Sequence, residues 1–296
     1  MEQDEDANAH DHDLASLEHR EDSIELLFQT HFSRRYDTGV QVTADKAASA
    51  LRLHEVWRSH RIDVDFDQFV EDAFLSLQYA YNQKYGQWDQ VNDLRALYQD
   101  TWYKKIAPFA TSLAPEATVL GVGVNDGREV RQLFENRNLN IDLLDISSEA
   151  IRQVAQQLSG YRNVRSFVGS FEDWKAESAE YDLFFSLRTL NSTSIDLQSC
   201  VRKSVALVKE GGILIYSVSN GYIHMGERGE PRAVQGMFSY ETGTIDAERP
   251  KQIADEITQL LGAEDASVIE VSEEPTEIFI VAQKNQSGRV SFDGGL

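Results

Sequence analysis

The chain has little cysteine, no long apolar run and a shortage of positive charge. Its 296 residues include one cysteine, Cys200, so no internal disulfide can form and a reducing, cytoplasmic location is expected. No segment approaches the roughly 18 consecutive apolar residues that a membrane span needs. The opening residues, "MEQDEDANAHDHDLASLEHRED", have neither a basic region nor an apolar core, so they do not read as a signal peptide. We therefore expect no membrane partner.

The excess of acid excludes one large class of partners. The formal net charge is −21, from 28 basic and 49 acidic residues. Residues 1–22 hold nine acids and one arginine, or −8, which leaves −13 for the rest of the chain. Proteins that hold nucleic acid usually present a basic face to the phosphates. We expect no nucleic-acid partner, and the "HDHD" of the acidic tail is interpreted as solvated rather than as a metal site, so no metal is predicted.

Composition divides the chain into a tail, a helical part and a larger part with alternating patterns. Residues 1–22 and 285–296 are predicted to be a disordered acidic tail and a flexible tail. Residues 23–115 show apolar and aromatic stripes at helical spacing, which predict a helical N-terminal cap subdomain. One helix is expected to end at Gly86, and the next to stop near Pro108.

Beyond residue 115, short apolar runs alternate with helical patterns. The expected strands are "TVLGVGV", "NIDLLDI", "NVRSFVG", "YDLFFSL", "GILIYSV", "SVIEVSE" and "EIFIVAQ", and the expected helices cover about 127–136, 148–158, 193–209 and 249–262. This alternation predicts an α/β fold with a seven-stranded, mostly parallel, doubly wound sheet. Only "EEPT" separates the last two strands, so the last strand should be antiparallel.

Three glycines meet at the junction of the first strand and its helix, in "ATVLGVGVNDGREVRQLF". Ligands of open α/β sheets bind at the carboxyl ends of the strands, where this junction lies. A dinucleotide-binding turn beginning at Gly121 and Gly123 would need a third glycine at position 126. That position is Asp126, whose charge would repel a pyrophosphate. A nicotinamide oxidoreductase is therefore disfavoured.

The alternative interpretation takes the loop as Gly123 to Gly127. Such a turn brings the backbone close to an amino-acid group and a ribose, without a phosphate to neutralise. Asn125 within the loop tolerates a positive φ better than other residues with a side chain. Asp145 ends the second expected strand, and a carboxylate there can accept hydrogen bonds from both ribose hydroxyls.

Five segments, "VLGVGVNDG", "LLDIS", "VGSFEDW", "YDLFFSLRTLNS" and "LVKEGGILIYSVSN", together resemble the successive motifs of class I S-adenosylmethionine-dependent methyltransferases. The resemblance covers roughly residues 117–284 and implies a Rossmann-like domain over 116–284 with S-adenosylmethionine as cofactor. The positions it assigns to the cofactor are Gly121, Gly123, Asn125, Gly127, Asp145, Ile146, Ser170, Phe171, Ser186 and Leu187.

By this resemblance, the loop residues line the methionine part, Asp145 holds the ribose and Ile146 packs on the adenine. Ser170 stands where the family often has an aspartate for the adenine amino group, with Asp126 or Glu172 as possible substitutes. Gly121 stands where the family usually has an acid, and Asn125 replaces the second loop glycine.

Residues for the methyl acceptor are expected from three places at the same edge. Arg188 follows the fourth strand, where it either binds an anionic acceptor or forms a salt bridge. His224 lies in an expected active-site insertion, residues 221–248, and is the best candidate for a general base. The insertion is alternatively a β-hairpin that only covers the sheet edge. Aromatic candidates for substrate binding are Tyr81, Tyr85, Tyr98, Trp102 and Tyr222.

These patterns predict a methyltransferase that acts on an oxygen or nitrogen atom of a small molecule or peptide. The alternative is a non-catalytic partner protein that has kept the fold and the cofactor site. The sequence predicts neither the acceptor nor the oligomeric state.

Overall fold

A computed structural model describes the chain over residues 24–33, 35–36, 42–60, 62–86, 92–124, 127–135, 138–161, 163–176, 180–190, 195–225, 231–239, 244–274 and 277–286. The predicted tail at residues 1–22, most of the tail at 285–296, and the loop residues Asn125 and Asp126 lie outside these ranges. Within the described ranges, no helix combines the length and the apolar character needed to cross a membrane.

The described elements follow one another as the hydrophobic patterns predict. The helices are α1 (Ile24–Phe32), α2 (Ala44–Ala47), α3 (Ala50–His60), α4 (Phe66–Gly86), α5 (Asn92–Ser112), α6 (Arg128–Phe134), α7 (Ser148–Gln157), α8 (Leu197–Leu207) and α9 (Arg249–Ala263). The strands are β1 (Thr118–Val122), β2 (Asn140–Asp145), β3 (Val164–Val168), β4 (Tyr181–Leu187), β5 (Val208–Ser219), β6 (Gly221–Met225), β7 (Pro231–Gln235), β8 (Met237–Ser239), β9 (Thr244–Asp246), β10 (Ala266–Glu273) and β11 (Glu277–Lys284).

One seven-stranded sheet forms the centre of the fold, in the order β10-β11-β5-β4-β1-β2-β3. Strands β1 to β5 pair in parallel, whereas β11 is antiparallel to both of its neighbours, β5 and β10. The predicted α/β class, the seven strands and the antiparallel last strand are therefore confirmed. The crossover helices cover the sheet because parallel strands must be buried on both faces.

Two apolar layers sandwich the sheet. On one face, α5, α6 and α7 pack on side chains such as Leu183 and Phe185 of β4. On the other face, α8 and α9 pack on a cluster that includes Phe184 and Tyr216. Successive residues of β4 point to opposite faces, so a strand buried on both sides carries the nearly continuous apolar run "YDLFFSL".

Helices α1 to α4 surround a separate apolar cluster that includes Phe28, Phe32, Phe69 and Leu77. The aromatic stripe of α4 supplies one wall of it, and the ring centroids of Phe32 and Phe69 lie 6.1 Å apart. Helix α5 instead packs on the sheet. The division into a cap subdomain at 23–115 and a cofactor domain at 116–284 remains a prediction.

Pro108 does not end α5. The prediction that this helix stops near Pro108 is wrong, because α5 continues to Ser112. Hydroxyl groups satisfy carbonyl groups of the last turn, since Thr111 Oγ1 donates to the carbonyl oxygens of Ala107 and Pro108 at 2.8 and 2.9 Å. Pro108 itself has no N–H to donate to the carbonyl group four residues earlier, and α5 continues for one further turn beyond it.

Gly121 is required by packing between strands. It pairs with Phe185 of β4, and a Cβ atom added at Gly121 would lie 2.5 Å from Phe185 Cζ. The ring of Phe185 therefore occupies the space that a side chain would need. Packing against β4 therefore explains the glycine at this position, and no ligand is needed to explain it.

We expect Gly121→Ala to lower the free energy of unfolding by about 1–3 kcal/mol, because the added methyl group overpacks the core against Phe185. Chemical denaturation measures this change. Gly160→Ala is the matched control, since a Cβ atom there would meet no atom within 4 Å and should leave stability nearly unchanged. Equal midpoints for the two variants would contradict the packing account.

Candidate functional site

The carboxyl ends of five parallel strands meet at one edge of the sheet. Beyond the regular ladders, Gly123 N donates to the carbonyl oxygen of Leu144 at 2.8 Å, and Gly169 N donates to that of Asp145 at 2.9 Å. Arg188 N donates to the carbonyl oxygen of Ser217 at 3.0 Å. These bonds hold the first residues after β1, β3 and β4 against the ends of β2 and β5. These bonds therefore bring the described residues that follow β1, β3 and β4 to one edge.

The glycine loop after β1 approaches the end of β4 very closely. Gly123 has a φ of 71°, and a Cβ atom there would lie 1.9 Å from Thr189 Oγ1. Gly127 precedes α6 with a φ of 75°, in the left-handed region that favours glycine. Both glycines are needed for the turn itself, and they leave backbone without side chains at this edge. Asn125 lies outside the described residues.

Asp145 ends β2 as a buried acid, 4% exposed. Its Oδ1 accepts a hydrogen bond from Ser147 N at 2.8 Å, which orients the carboxylate at the strand tip. Ser147 caps α7 by accepting from Ala150 N at 3.1 Å. Ile146, between the two, packs against the cluster of helices α1 to α4. Helix α4 therefore lies close to the tip of β2.

Asn82 of α4, which was not among the predicted site residues, fixes that contact. Its Oδ1 accepts from Ser147 Oγ at 2.7 Å and from Glu149 N at 3.1 Å. Its Nδ2 donates to Ser148 Oγ at 3.0 Å. One side chain thus satisfies polar groups of the first turn of α7. No pattern in the sequence marks Asn82, which is one of several polar residues near the end of α4.

The turn after β3, residues 170–174, is held by side chains from both sides. Ser170 Oγ accepts from Glu172 N at 3.3 Å. Phe171 is buried, and its ring lies 5.7 Å from that of Phe184. Glu172 Oε1 accepts from Arg52 Nη2 at 2.9 Å and from Asp196 N at 2.7 Å.

Burial raises the pKa of Glu172, although the hydrogen bond from Asp196 N and the charge of Arg52 oppose the shift. Its carboxylate joins α3, this turn and the start of α8. Glu172 therefore holds the N-terminal helices against the turn after β3. Its possible role as an acceptor for the adenine amino group stays a prediction.

Ser186 and Leu187 form the end of β4. Both side chains are buried, and Leu187 belongs to the apolar layer under α5 to α7. Ser186 Oγ has no hydrogen-bond partner among the described residues. A buried hydroxyl without a partner is costly, so Ser186 marks a position where a bound molecule would satisfy a polar atom.

The guanidinium group of Arg188 folds back over the ends of β5 and β11. Its Nη2 donates to Ser219 Oγ at 2.5 Å and to the Gly221 carbonyl oxygen at 2.9 Å. Its Nε lies 3.0 Å from Oε1 of Glu277, a fully buried carboxylate that was not among the predicted site residues. Of the two predictions for Arg188, the structure therefore shows the salt bridge. A role in binding an anionic acceptor stays a prediction.

Burial raises the pKa of Glu277 to about 7, although Arg188, Ser217 and Trp102 oppose the shift. The carboxylate has no solvent exposure, so the cost of its desolvation outweighs its ion pair with Arg188. The position gave a weak signal in the sequence, because an acid opens an otherwise apolar strand, "EIFIVAQK".

The other predicted acceptor residues are partly described. Trp102 of α5 is 6% exposed and belongs to the apolar layer on the sheet. Tyr81 of α4 packs against the cluster of helices α1 to α4. The backbone of the insertion forms two short hairpins, β6–β7 and β8–β9. The side chains of Tyr85, Tyr98, Tyr222 and His224 lie outside the described residues.

We expect the contribution of Glu277 to stability to fall as the pH rises. Its pKa is raised from 4.5 to about 7 in the folded state, so the folded state retains a proton that the unfolded state releases. The stabilisation is present below pH 4.5 and is lost as the pH rises through 7. The difference amounts to about 3 kcal/mol at 1.4 kcal/mol per pH unit.

Chemical denaturation of the wild type and of Glu277→Gln at pH 5 and pH 8 measures this effect. The variant should match the wild type at pH 5 and exceed its stability at pH 8. A variant that is less stable at pH 8 would show instead that the ion pair with Arg188 outweighs burial.

Two solved structures of low sequence identity resemble the chain. The N-methyltransferase NodS from Bradyrhizobium japonicum WM9, in complex with S-adenosyl-L-homocysteine, is 12% identical, covers 62% of this chain and 86% of its own, and has a TM-score of 0.46. Geranyl diphosphate C-methyltransferase from Streptomyces coelicolor A3(2) is 11% identical, covers 69% of this chain and 84% of its own, and has a TM-score of 0.48.

One curated relative matches the chain in sequence. It is malonyl-[acyl-carrier protein] O-methyltransferase 2 from Ilyobacter polytropus, 24% identical over 195 residues, which are 64% of this chain and 73% of the relative. Residues 119–212 also match the family model of a methyltransferase domain. This range begins in β1 and ends in β5, so it contains the glycine loop, Asp145 and the ends of β1 to β4. Residues 119–212 therefore match a methyltransferase domain, in agreement with the resemblance of the sequence to class I S-adenosylmethionine-dependent methyltransferases.

Proposed function

We propose that this chain is a methyltransferase that transfers a methyl group from S-adenosylmethionine to an oxygen or nitrogen atom of a small molecule or peptide. The observation that carries the proposal is the glycine loop of Gly123 and Gly127 beside the buried Asp145, at the carboxyl edge of a parallel sheet. Both lie within the range that matches the methyltransferase domain.

The described residues fit this cofactor. Gly123 and Gly127 leave backbone at positive φ without side chains, which suits close contact with an amino-acid group. Asp145 offers a buried carboxylate suited to two ribose hydroxyls. Ser186 offers a buried hydroxyl without a partner among the described residues. The cofactor, when bound, supplies a methyl group activated on a sulfonium.

We propose the same cofactor contacts that the resemblance implies, now supported by the geometry of the described residues. Gly123, Asn125 and Gly127 line the methionine part, Asp145 holds the ribose, and Ile146 covers the adenine together with the docked helix α4. Ser170 and the backbone of Phe171 face the adenine edge, because the Phe171 ring points into the core. Ser186 and Leu187 close the pocket. Gly121 contributes by allowing β1 and β4 to pack.

On the acceptor side, the protein must align the acceptor, exclude water and remove a proton where the acceptor carries one. We propose His224 as the base for a protonated acceptor. Arg188, held against Glu277, supplies positive charge at the end of β4. Tyr81, Tyr85, Tyr98, Trp102 and Tyr222 form the proposed walls of the acceptor chamber. The name of the relative from Ilyobacter polytropus supports an oxygen acceptor.

Asp145→Asn tests the cofactor assignment. We expect S-adenosylhomocysteine binding to weaken by about 1–3 kcal/mol, because the amide keeps the bond from Ser147 N but loses the charge that holds the ribose hydroxyls. Isothermal titration measures the affinity. Asp182→Asn is the control, since Asp182 binds Thr118 N and Lys209 at the opposite edge of the sheet. Unchanged affinity in Asp145→Asn would remove Asp145 from the site.

His224→Gln tests the catalytic assignment. With an acceptor that must lose a proton, we expect kcat to fall about 100-fold or more, while the affinity for S-adenosylhomocysteine is unchanged. Release of S-adenosylhomocysteine during turnover measures kcat. His60→Gln, at the exposed end of α3, is the control.

A wild-type kcat retained in His224→Gln would show that no histidine base is used. A wild-type protein that binds S-adenosylhomocysteine but turns over no oxygen or nitrogen acceptor would favour the non-catalytic partner protein instead.

A further inference from the structure

Lys203 of α8 places one ammonium group on three carbonyl oxygens of a single turn. Its Nζ donates to the carbonyl oxygens of Phe171 at 2.6 Å and Glu172 at 2.9 Å, and also to that of Trp174. The same Nζ lies 5.2 Å from the centre of the Phe171 ring. All three N–H donors of the ammonium thus have a partner in the turn formed by residues 170–174.

Removing the ammonium group of Lys203 from water costs free energy, so we expect the turn to depend on its hydrogen bonds. Lys203 is partly buried, and desolvation lowers its pKa, against the charges of Asp173 and Glu172. A surface lysine would keep its ammonium in water. Three carbonyl oxygens that converge on one point repel one another, and a compact cation with three donors satisfies all of them. Lys203 therefore determines the backbone conformation of the turn.

The opposite side of the turn is held by the N-terminal helices. Arg52 donates to Glu172 Oε1, and Ala50 N donates to Asp173 Oδ2 at 3.3 Å. These contacts hold side chains of the turn, whereas Lys203 holds its backbone. The backbone N–H groups and the Ser170 hydroxyl, the groups proposed to face the adenine edge, are thus oriented chiefly from α8.

We propose that Lys203 is a positioning residue that sets the selectivity of the cofactor site for adenine by fixing the turn at residues 170–174. This inference rests on the proposed function, because it takes the turn as the part of the site that faces the adenine edge. Lys203 touches neither the cofactor nor the acceptor. It acts through the turn.

The test compares two nucleosides that differ at the adenine amino group and at the neighbouring ring nitrogen N1, which carries a proton in the 6-oxo base. Wild type and Lys203→Met are titrated with S-adenosylhomocysteine and with S-inosylhomocysteine, which carries an oxygen in place of that amino group. The wild type should prefer S-adenosylhomocysteine. In Lys203→Met we expect the affinity for S-adenosylhomocysteine to fall about tenfold or more, the equivalent of one or two lost hydrogen bonds. The affinity for S-inosylhomocysteine should change far less, so the preference shrinks.

Lys209→Met is the matched control. Lys209 Nζ also makes a close polar contact, with Asp182 Oδ1 and Oδ2 at 3.0 and 2.9 Å, but at the amino end of β4 and far from the turn. This variant should keep the wild-type preference between the two nucleosides. Lys203→Arg keeps the charge, but its planar group cannot reach all three carbonyl oxygens from one atom. We therefore expect an intermediate loss of affinity for S-adenosylhomocysteine. This variant replaces Lys203→Met if the latter does not fold.

The outcomes separate this inference from the function on which it rests. A wild type that binds neither nucleoside overturns the proposed function, and the inference falls with it. A wild type that prefers S-adenosylhomocysteine, with the same preference in Lys203→Met or Lys203→Arg, overturns the inference alone. An equal loss for both nucleosides also overturns it, because a merely structural lysine would weaken both alike.

Discussion

Parallel pairing of β1 with β2 and β4 is the constraint on which the rest of this structure depends. It brings the residues after each strand to one edge, where Gly123 N bonds the carbonyl oxygen of Leu144. Gly123 then lies so close to Thr189 that no side chain fits. The loop must expose backbone, and Asp145 must stand beside it. The proposed contacts with the methionine part and the ribose of the cofactor follow from this closeness of three strand ends, whereas those with the adenine edge also need the turn after β3.

A second theme is that buried polar groups at this edge connect elements distant in sequence. Asn82 joins α4 to the first turn of α7, and Arg52 with Glu172 joins α3 to the turn after β3. Arg188 with Glu277 joins β4 to β11. Each group would be costly if buried without a partner. The N-terminal helices are therefore docked at two points, beside the tip of β2 and beside the turn after β3.

Sequence and structure agree best where a pattern is local. The glycines at 123 and 127 and the acid at 145 could be identified because a tight turn and a strand tip each leave a mark within a few residues. The extension of α5 past Pro108 was missed, because proline often ends a helix, whereas here the helix continues for one more turn, to Ser112. Gly121 was assigned to the cofactor by its place in the motif, whereas its neighbour Phe185 accounts for the glycine.

By itself, the sequence determined the order of strands and helices, the class of fold and the place of the glycine loop, since hydrophobic period and turn residues act over short distances. Only the tertiary structure decided that Arg188 is paired with Glu277, that Glu172 serves the docking of α3, and that Lys203 holds the turn after β3. These partners lie about 30 to 120 residues apart in the chain. A charged residue carries no sign in the sequence of which distant group will neutralise it, because that choice depends on how the layers pack.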